Sequence, residues 1–235
     1  HPRQYGSRCT LTANHMLFVI EVAKFVKCSK MLCAIIQRRS MRGEVMRDQD
    51  VRAAVHQKLL KESHLDPDCL VIDEFSISLG ASRADIAVVN GVLHGYELKS
   101  EYDSLERLPL QIKHYSAVMD KVTLVVADKH LDGALELIPS WWGVKTVSVG
   151  PKGAIRIKHM RAEKLNRNYD SLMLAQLLWR DECIDVLERW GRSKGFKSKP
   201  RFELWNVVAD FIPVADLRLE VRTALKNRID WKVRV

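Results

Sequence analysis

Arg83-Ala84-Asp85 closes one apolar run of the chain, and Glu97-Leu98-Lys99 closes the next. Each run reads as a strand, so two carboxylates and a lysine converge at the ends of neighbouring strands inside otherwise apolar segments. Strand interiors hold charge where it is paired or binds a metal. A carboxylate pair with an adjacent ammonium is the minimum equipment for holding Mg²⁺ and hydrolysing a phosphodiester. In that chemistry Asp85 and Glu97 give carboxylate oxygens to the ion, and the Leu98 carbonyl adds a third donor. The ion acidifies a bound water and screens the phosphate charge. Lys99 orients or deprotonates that water, or stabilises the pentavalent charge. Glu74, on the preceding strand, would serve a second ion or orient a metal-bound water. The same residue types also suit a buried ion-pair cluster that fixes strand register, and spacing alone weighs the two readings equally.

The turn between the two strands is a geometric test. Asn90-Gly91 is a strong hairpin signal. A two-residue turn sets Asp85 opposite Tyr96 and sends the two carboxylates to opposite faces of the sheet. A shared ion therefore requires an odd loop, with Gly91 left-handed, or a bulge elsewhere in the pair.

The surrounding elements follow from pattern. A helix starts at Asp48-Gln49-Asp50, with Val51, Val55, Leu59 and Leu60 on one face. A turn at residues 65–68 leads to strands near 69–77, 84–89 and 93–99. A helix over about 104–119, a buried strand at 122–127, a helix at 130–138 stopped by Pro139, a strand at 144–149 and a hairpin through Lys152-Gly153 complete this part. That order predicts an α/β fold with a mixed sheet. From about His159 the pattern turns helical. Leu172, Ala175, Leu178, Cys183, Val186 and Leu187 suit one long amphipathic helix ended by Gly191. A basic loop holding Arg192, Lys194, Lys197, Lys199 and Arg201 precedes two more helices, at 202–211 and 214–227, parted by Pro213.

The charge is unevenly placed. The 235 residues carry a formal net charge of +9. Residues 1–45 hold eight Lys/Arg against two Asp/Glu, residues 46–150 hold 11 against 16, and residues 151–235 hold 19 against 11. An acidic middle between basic flanks suits a metal site that takes its grip on a polyanion from elsewhere. The five cysteines are scattered without a C-x-x-C, which argues against a zinc or disulfide framework and fits a reducing cytoplasm. The most apolar N-terminal stretch, from Met16 to Ala23, is interrupted by Glu21 and followed by Lys24, too short and charged to span a bilayer. Residues 1–45 read as an extension, with the native domain beginning near Met46.

The run from Ile72 to Tyr115 resembles the PD-(D/E)XK nuclease superfamily, and more narrowly the bacterial sce7726 family. The resemblance rests on Arg83-Ala84-Asp85-Ile86-Ala87-Val88-Val89-Asn90-Gly91, His94-Gly95-Tyr96-Glu97-Leu98-Lys99-Ser100, Asp103, Leu105-Glu106-Arg107-Leu108, Gln111 and Tyr115. It extends through 122–127 and Trp141-Trp142-Gly143. It implies a restriction-endonuclease-like core over residues 46–158, with a mixed central sheet flanked by helices, and a basic C-terminal helical region over 159–235. Asp85 takes the place of the superfamily's first metal acid, and Glu97 and Lys99 that of its (D/E)XK pair. Ala84 stands where a proline is usual. Gln111 and Tyr115, one helical turn apart on a shared face, resemble the QxxxY motif of RecB-like nucleases. RecB-like enzymes also take a histidine ligand from the first helix, where His56 is available; a half-exposed helix histidine is the plainer reading.

The implied activity is a Mg²⁺-dependent hydrolysis of phosphodiester bonds in DNA, with Mn²⁺ able to substitute. Its catalytic set is Asp85, Glu97, Lys99, Glu74, Gln111 and Tyr115, its metal donors are Asp85, Glu97 and Leu98, and no organic cofactor or membrane is involved. Arg83, Arg107, Lys194, Lys197 and Lys199 are the expected nucleic-acid contacts. Asp103 and Arg107 also read as an i,i+4 ion pair, and Trp141-Trp142 as packing at a strand entrance. The rival is a protein of the same fold that binds nucleic acid without cutting it, or an accessory protein of a mobile element.

Overall fold

The computed structural model describes residues 46–150, 153–192 and 194–228. The chain divides into two units, residues 1–44 with 151–154, and residues 45–150 with 155–235. Of the first, only Gly153 and Ala154 are described, so the expectations for residues 1–45 and for Lys152 lie outside the described residues. Every described helix and strand belongs to the second unit.

That unit opens with α1 (Asp48–Lys58) and α2 (Lys61–Leu65) and continues with β1 (Leu70–Ile77), β2 (Ser82–Asn90) and β3 (Val92–Lys99). Then come α3 (Leu108–Val118), β4 (Lys121–Ala127), α4 (Leu131–Leu137), β5 (Gly143–Val149) and β6 (Ile155–Arg161). The chain ends its described part with α5 (Ser171–Ala175), α6 (Arg180–Arg189), α7 (Arg201–Phe211) and α8 (Val214–Asn227). The strands form one six-stranded sheet in sequence order. β1, β2 and β3 run antiparallel, β3, β4 and β5 run parallel, and β6 returns antiparallel to β5. Helices α3 and α4 are the crossovers that the parallel pairs require. The mixed α/β sheet follows the order read from the sequence.

Helices cover both faces. On one, Val51, Ala54 and Val55 of α1 pack against Ile86, Val88, Tyr96, Leu98, Val125 and Val147. On the other, α3 and the C-terminal helices bury Leu108, Tyr115, Leu174, Leu187, Trp205 and Leu217 against Ala87, Val89, Leu124 and Val126. Burial on both faces explains the unbroken apolar run of β4. Among the described residues, no helix is long and apolar enough to cross a membrane.

Two elements depart from their sequence patterns. The helix expected from about 104 starts at Leu108, because the Asp103 carboxylate accepts from the Ser100 amide (2.7 Å) and hydroxyl (2.6 Å) and caps the end of β3 instead. Asp103 is thus engaged one loop away from an i,i+4 pairing with Arg107. The long helix expected from 172 is broken into α5 and α6. The Leu178 carbonyl is taken by the Trp205 indole N–H (3.0 Å) and the Leu177 carbonyl by Arg228 (2.6 Å). Both are carbonyls that a continuous helix needs.

The C-terminal helix is tied down by one buried acid. Asp120 accepts from the Leu93 amide (2.7 Å), the Tyr169 hydroxyl (3.0 Å), Arg218 Nε (2.7 Å) and Arg222 (3.2 Å). Arg218 and Arg222 are successive turns of α8. Replacing Asp120 leaves an amide and two guanidinium groups unpaired around a buried site, which costs more than any one of those bonds contributes. Asp120→Ala is expected to lose about 3–5 kcal/mol, read by urea unfolding. A loss within the range of an exposed ion pair, under about 1 kcal/mol, would show that α8 docks on its apolar face alone.

Candidate functional site

The β2–β3 connection is odd. Asn90 pairs with Val92, leaving Gly91 alone at the turn with φ 66°. A side chain there would find open space, so backbone conformation and not crowding calls for glycine. This register, carried down from the turn, brings Asp85 level with Glu97. The regular pairing of the two strands stops at Ile86 and Tyr96, and below it side chains bond the strand backbone. Asp85 Oδ2 accepts from the Leu98 amide (2.7 Å), and the Arg83 carbonyl lies 2.9 Å from the Tyr115 hydroxyl.

A second irregularity lies across β1 and β2. Ile72 and Phe75 pack in the same apolar cluster, and so do Ala84 and Ala87, so the period of two slips by one residue in both strands. The β1–β2 pairing skips Glu74 and Asp85 at the slip, and Glu74 takes φ 55°. The two acids thus leave the regular ladder together and turn to a common cleft of about 500 Å³. Asp48, Arg52, Glu74, Arg83, Asp85, Glu97, Leu98, Lys99, Arg107 and Gln111 all line it.

Glu97 is the most enclosed of these groups, 1% exposed. Gln111 Nε2 donates to its Oε1 (2.6 Å), Lys99 Nζ donates to the same oxygen (2.8 Å), and the Tyr115 hydroxyl meets Oε2 (2.5 Å). Lys99 also donates to Gln111 Oε1 (3.1 Å), which fixes the orientation of the amide. Trp142, fully buried, stacks on Tyr115 with ring centroids 5.8 Å apart. The phenol has one proton for two oxygens, Glu97 Oε2 and the Arg83 carbonyl. A protonated Glu97 would satisfy both by donating to the phenol; an ionised one takes the proton for itself.

Both central acids are pushed toward their neutral forms. Burial and then the charge of Glu97 raise the Asp85 carboxyl to about 7, against the Leu98 amide and Arg52. Burial raises Glu97 despite Lys99, Tyr115 and Gln111. The cleft floor is therefore short of positive charge. Arg52 is the local counterion. It donates to the Asp85 carbonyl (2.6 Å), Asp85 Oδ1 (3.0 Å) and Glu74 Oε1 (2.7 Å), and pairs with Asp48 at 3.6 Å. Burial opposes its charge, but Asp85, Asp48, Glu74 and Asp73 more than offset this and hold its pKa above the ordinary value.

The structure places the sequence candidates as follows. Asp85, Glu97, Leu98, Lys99, Glu74, Gln111, Arg83 and Arg107 share the cleft lining, and Tyr115 lies directly behind Glu97. Arg83 sits 3.5 Å from Glu74. His56 turns elsewhere, to Asp73 (2.9 Å) and His64 (3.0 Å). Lys194, Lys197 and Lys199 are outside the cleft, in the α6–α7 loop, where Lys197 pairs with Glu188 (3.2 Å) and Lys199 with Glu203 (2.8 Å). Trp142 is core, as its packing reading expects. Arg52 and Asp48 were not singled out by sequence reasoning. Their i,i+4 spacing on α1 is visible, but it looks like any helix-surface pair.

The donors facing the cleft are hard oxygens. Among the described residues, no three His, Cys, Asp or Glu side chains are grouped to hold a metal on their own. A Mg²⁺ ion would therefore rest on the Asp85 and Glu97 carboxylates and keep several waters, its usual manner of binding. Two carboxylates raised by burial, Asp85 also by the charge of Glu97, fit such an ion.

The family model for bacteriophage P4 protein cII matches residues 41–233, and the chain belongs to that family. It is 29% identical over 186 residues to Protein cII of Enterobacteria phage P4, covering 79% of this chain and 69% of the relative. Among solved structures, the SPO1766 protein of unknown function from Silicibacter pomeroyi overlays 58% of this chain and 86% of its own. The identity is 15% and the TM-score 0.32, too loose to establish a shared fold.

The counterion role of Arg52 has a direct test. Arg52→Gln leaves Asp85 and Glu74 without their shared cation in a half-buried cluster. The expected loss is about 1–3 kcal/mol, below that of a fully buried pair because solvent reaches the cluster. Urea unfolding in EDTA measures it. A variant as stable as wild type would mean that solvent alone screens the acids.

Proposed function

We propose that this chain is a Mg²⁺-dependent nuclease that hydrolyses phosphodiester bonds in DNA. The observation that carries the proposal is the Glu97 carboxylate, buried and held by Lys99, Gln111 and Tyr115, beside an Asp85 carboxyl that burial and Glu97 raise. The resemblance to the PD-(D/E)XK superfamily, and within it to the sce7726 family, supports a restriction-endonuclease-like core over residues 46–158 with a basic helical region behind it. The Ala84 departure from the usual proline does not touch the ionisable set.

The residues have separable roles. Asp85 and Glu97 would hold the ion, with the Leu98 carbonyl as a further donor. A bound divalent ion supplies an acidified water and a charge screen for the phosphate. Lys99, fixed by Gln111, orients that water or meets the charge that develops on the phosphate oxygens. Tyr115 and Gln111 are positioning residues, since they act through Glu97. Glu74, in the same cleft lining, would be placed to orient a water, and Arg83 and Arg107 would meet the phosphates.

One observation favours a second reading. Arg52 already lies on Asp85 and Glu74, as a protein cation would in a site that binds nucleic acid without a metal. On that reading the chain is a non-cleaving nucleic-acid-binding or accessory protein of a mobile element, in keeping with its phage relative.

Incubation of the protein with circular and linear DNA and Mn²⁺ separates the two. Wild type is expected to cut. Asp85→Ala is expected to reduce cutting by at least about a hundredfold, and Lys99→Ala by about 10²–10⁴-fold, the range for a lost acid–base or charge-stabilising group. Cutting that is unchanged in both variants assigns the activity elsewhere, and intact DNA in every lane favours the binding reading.

A further inference from the structure

Exposed apolar side chains lie in or next to the segments that line the cleft, and the proposed chemistry does not use them. The turn between β1 and β2 holds Ser78, Leu79 and Gly80 in succession in the left-handed region, at φ 53°, 57° and 93°. L residues visit that region singly and seldom, and a branched leucine is among the least suited to it. Leu79 is nonetheless held there with its side chain 63% exposed. The residues that follow it, Gly80 to Arg83, line the cleft. On the β3–α3 loop Tyr102 is 67% exposed, and the next two residues, Asp103 and Ser104, line the cleft as well. Leu110, on the first turn of α3, lines it directly and is 51% exposed.

Single exposed apolar residues are ordinary. Leu110 lines the polar cleft, Leu79 and Tyr102 each directly precede residues that line it, and exposed Leu79 is kept in a strained conformation. Strain held at a site is a pointer to function. The charges differ in depth too: the Glu97 and Asp85 side chains are enclosed, Glu74 and Arg83 are open to solvent, and Arg107 is among the lining. A cleft of about 500 Å³ is on the scale of a pocket for one small ligand.

We propose that the substrate presents an unpaired strand to this cleft, with Tyr102 stacking one base and Leu79 wedged against another. Aromatic rings hold unstacked bases without regard to sequence, and apolar wedges separate neighbouring bases. The inference rests on the nucleic-acid reading of the same cleft and not on cleavage.

The test is binding in EDTA, where no divalent ion acts. Fluorescence anisotropy compares a single-stranded DNA with its duplex, and 2-aminopurine in the strand reports base stacking on the protein. Wild type is expected to prefer the single strand by about tenfold or more, with Tyr102→Ala weakening it about tenfold, within the range for a lost stacking platform. Leu79→Asn serves as a second variant, because asparagine tolerates the left-handed backbone. Its melting temperature is expected to hold or rise while single-strand binding falls, a pair of effects that misfolding does not produce. Equal affinity for strand and duplex, no binding to either, or wild-type binding by both variants would overturn the proposal. Strand preference without cutting under Mn²⁺ would sink the nuclease reading and leave this one standing; cutting without strand preference would do the reverse.

Discussion

A carboxylate almost wholly removed from water must be either neutral or surrounded by donors. Glu97 is surrounded. Its two oxygens meet an ammonium, an amide and a phenol, and two of those donors come from a single face of α3. The helix that carries the parallel crossover is therefore also the wall of the cleft. Trp142, immediately before β5, stacks behind Tyr115, so the residues entering the sheet support the side chain that the crossover helix carries. Without those donors the buried charge at position 97 would have no compensation, and β3 could not end on a Glu-x-Lys run between two apolar layers.

The other half of the cleft is built by interrupted regularity. β1 and β2 slip their face together at Glu74 and Asp85, and the ladder between β2 and β3 ends just above Asp85. Strand backbone that leaves its ladder needs other partners. Arg52 takes the Asp85 carbonyl, and Asp85 itself takes the Leu98 amide. The same contacts that repair the backbone place the acids. The mouth of the cleft lies where the sheet is least able to bond to itself, and α1 and α3 fill the gap from opposite faces.

Much of this was legible in the chain. Asp85, Glu97 and Lys99 stand out because charge inside apolar strands is a local pattern, and Gln111 and Tyr115 through their resemblance to the QxxxY motif of RecB-like nucleases. The odd Gly91 turn follows from asking both carboxylates to serve one ion. Arg52 was not legible, since it reaches Asp85 across 33 positions and its near neighbours offer it an ordinary partner in Asp48. The face slip at Glu74 has no composition signal either, because nothing in Ile-Asp-Glu-Phe announces a positive φ. The break between α5 and α6 depends on Trp205 and Arg228, which lie far along the chain. In the basic loop, the pairing of Lys197 with Glu188 spans nine positions and is not visible in sequence, whereas that of Lys199 with Glu203 has the ordinary i,i+4 spacing.

All of the proposed chemistry requires one divalent ion between Asp85 and Glu97, and calorimetric titration with Mn²⁺ asks for that ion directly. Wild type should bind a single ion, and Asp85→Ala and Glu97→Gln should each abolish the heat while the chain stays folded. A wild type that binds none, together with an Asp85→Ala variant that loses much of its stability, would mean that these side chains exist to hold the strands in register.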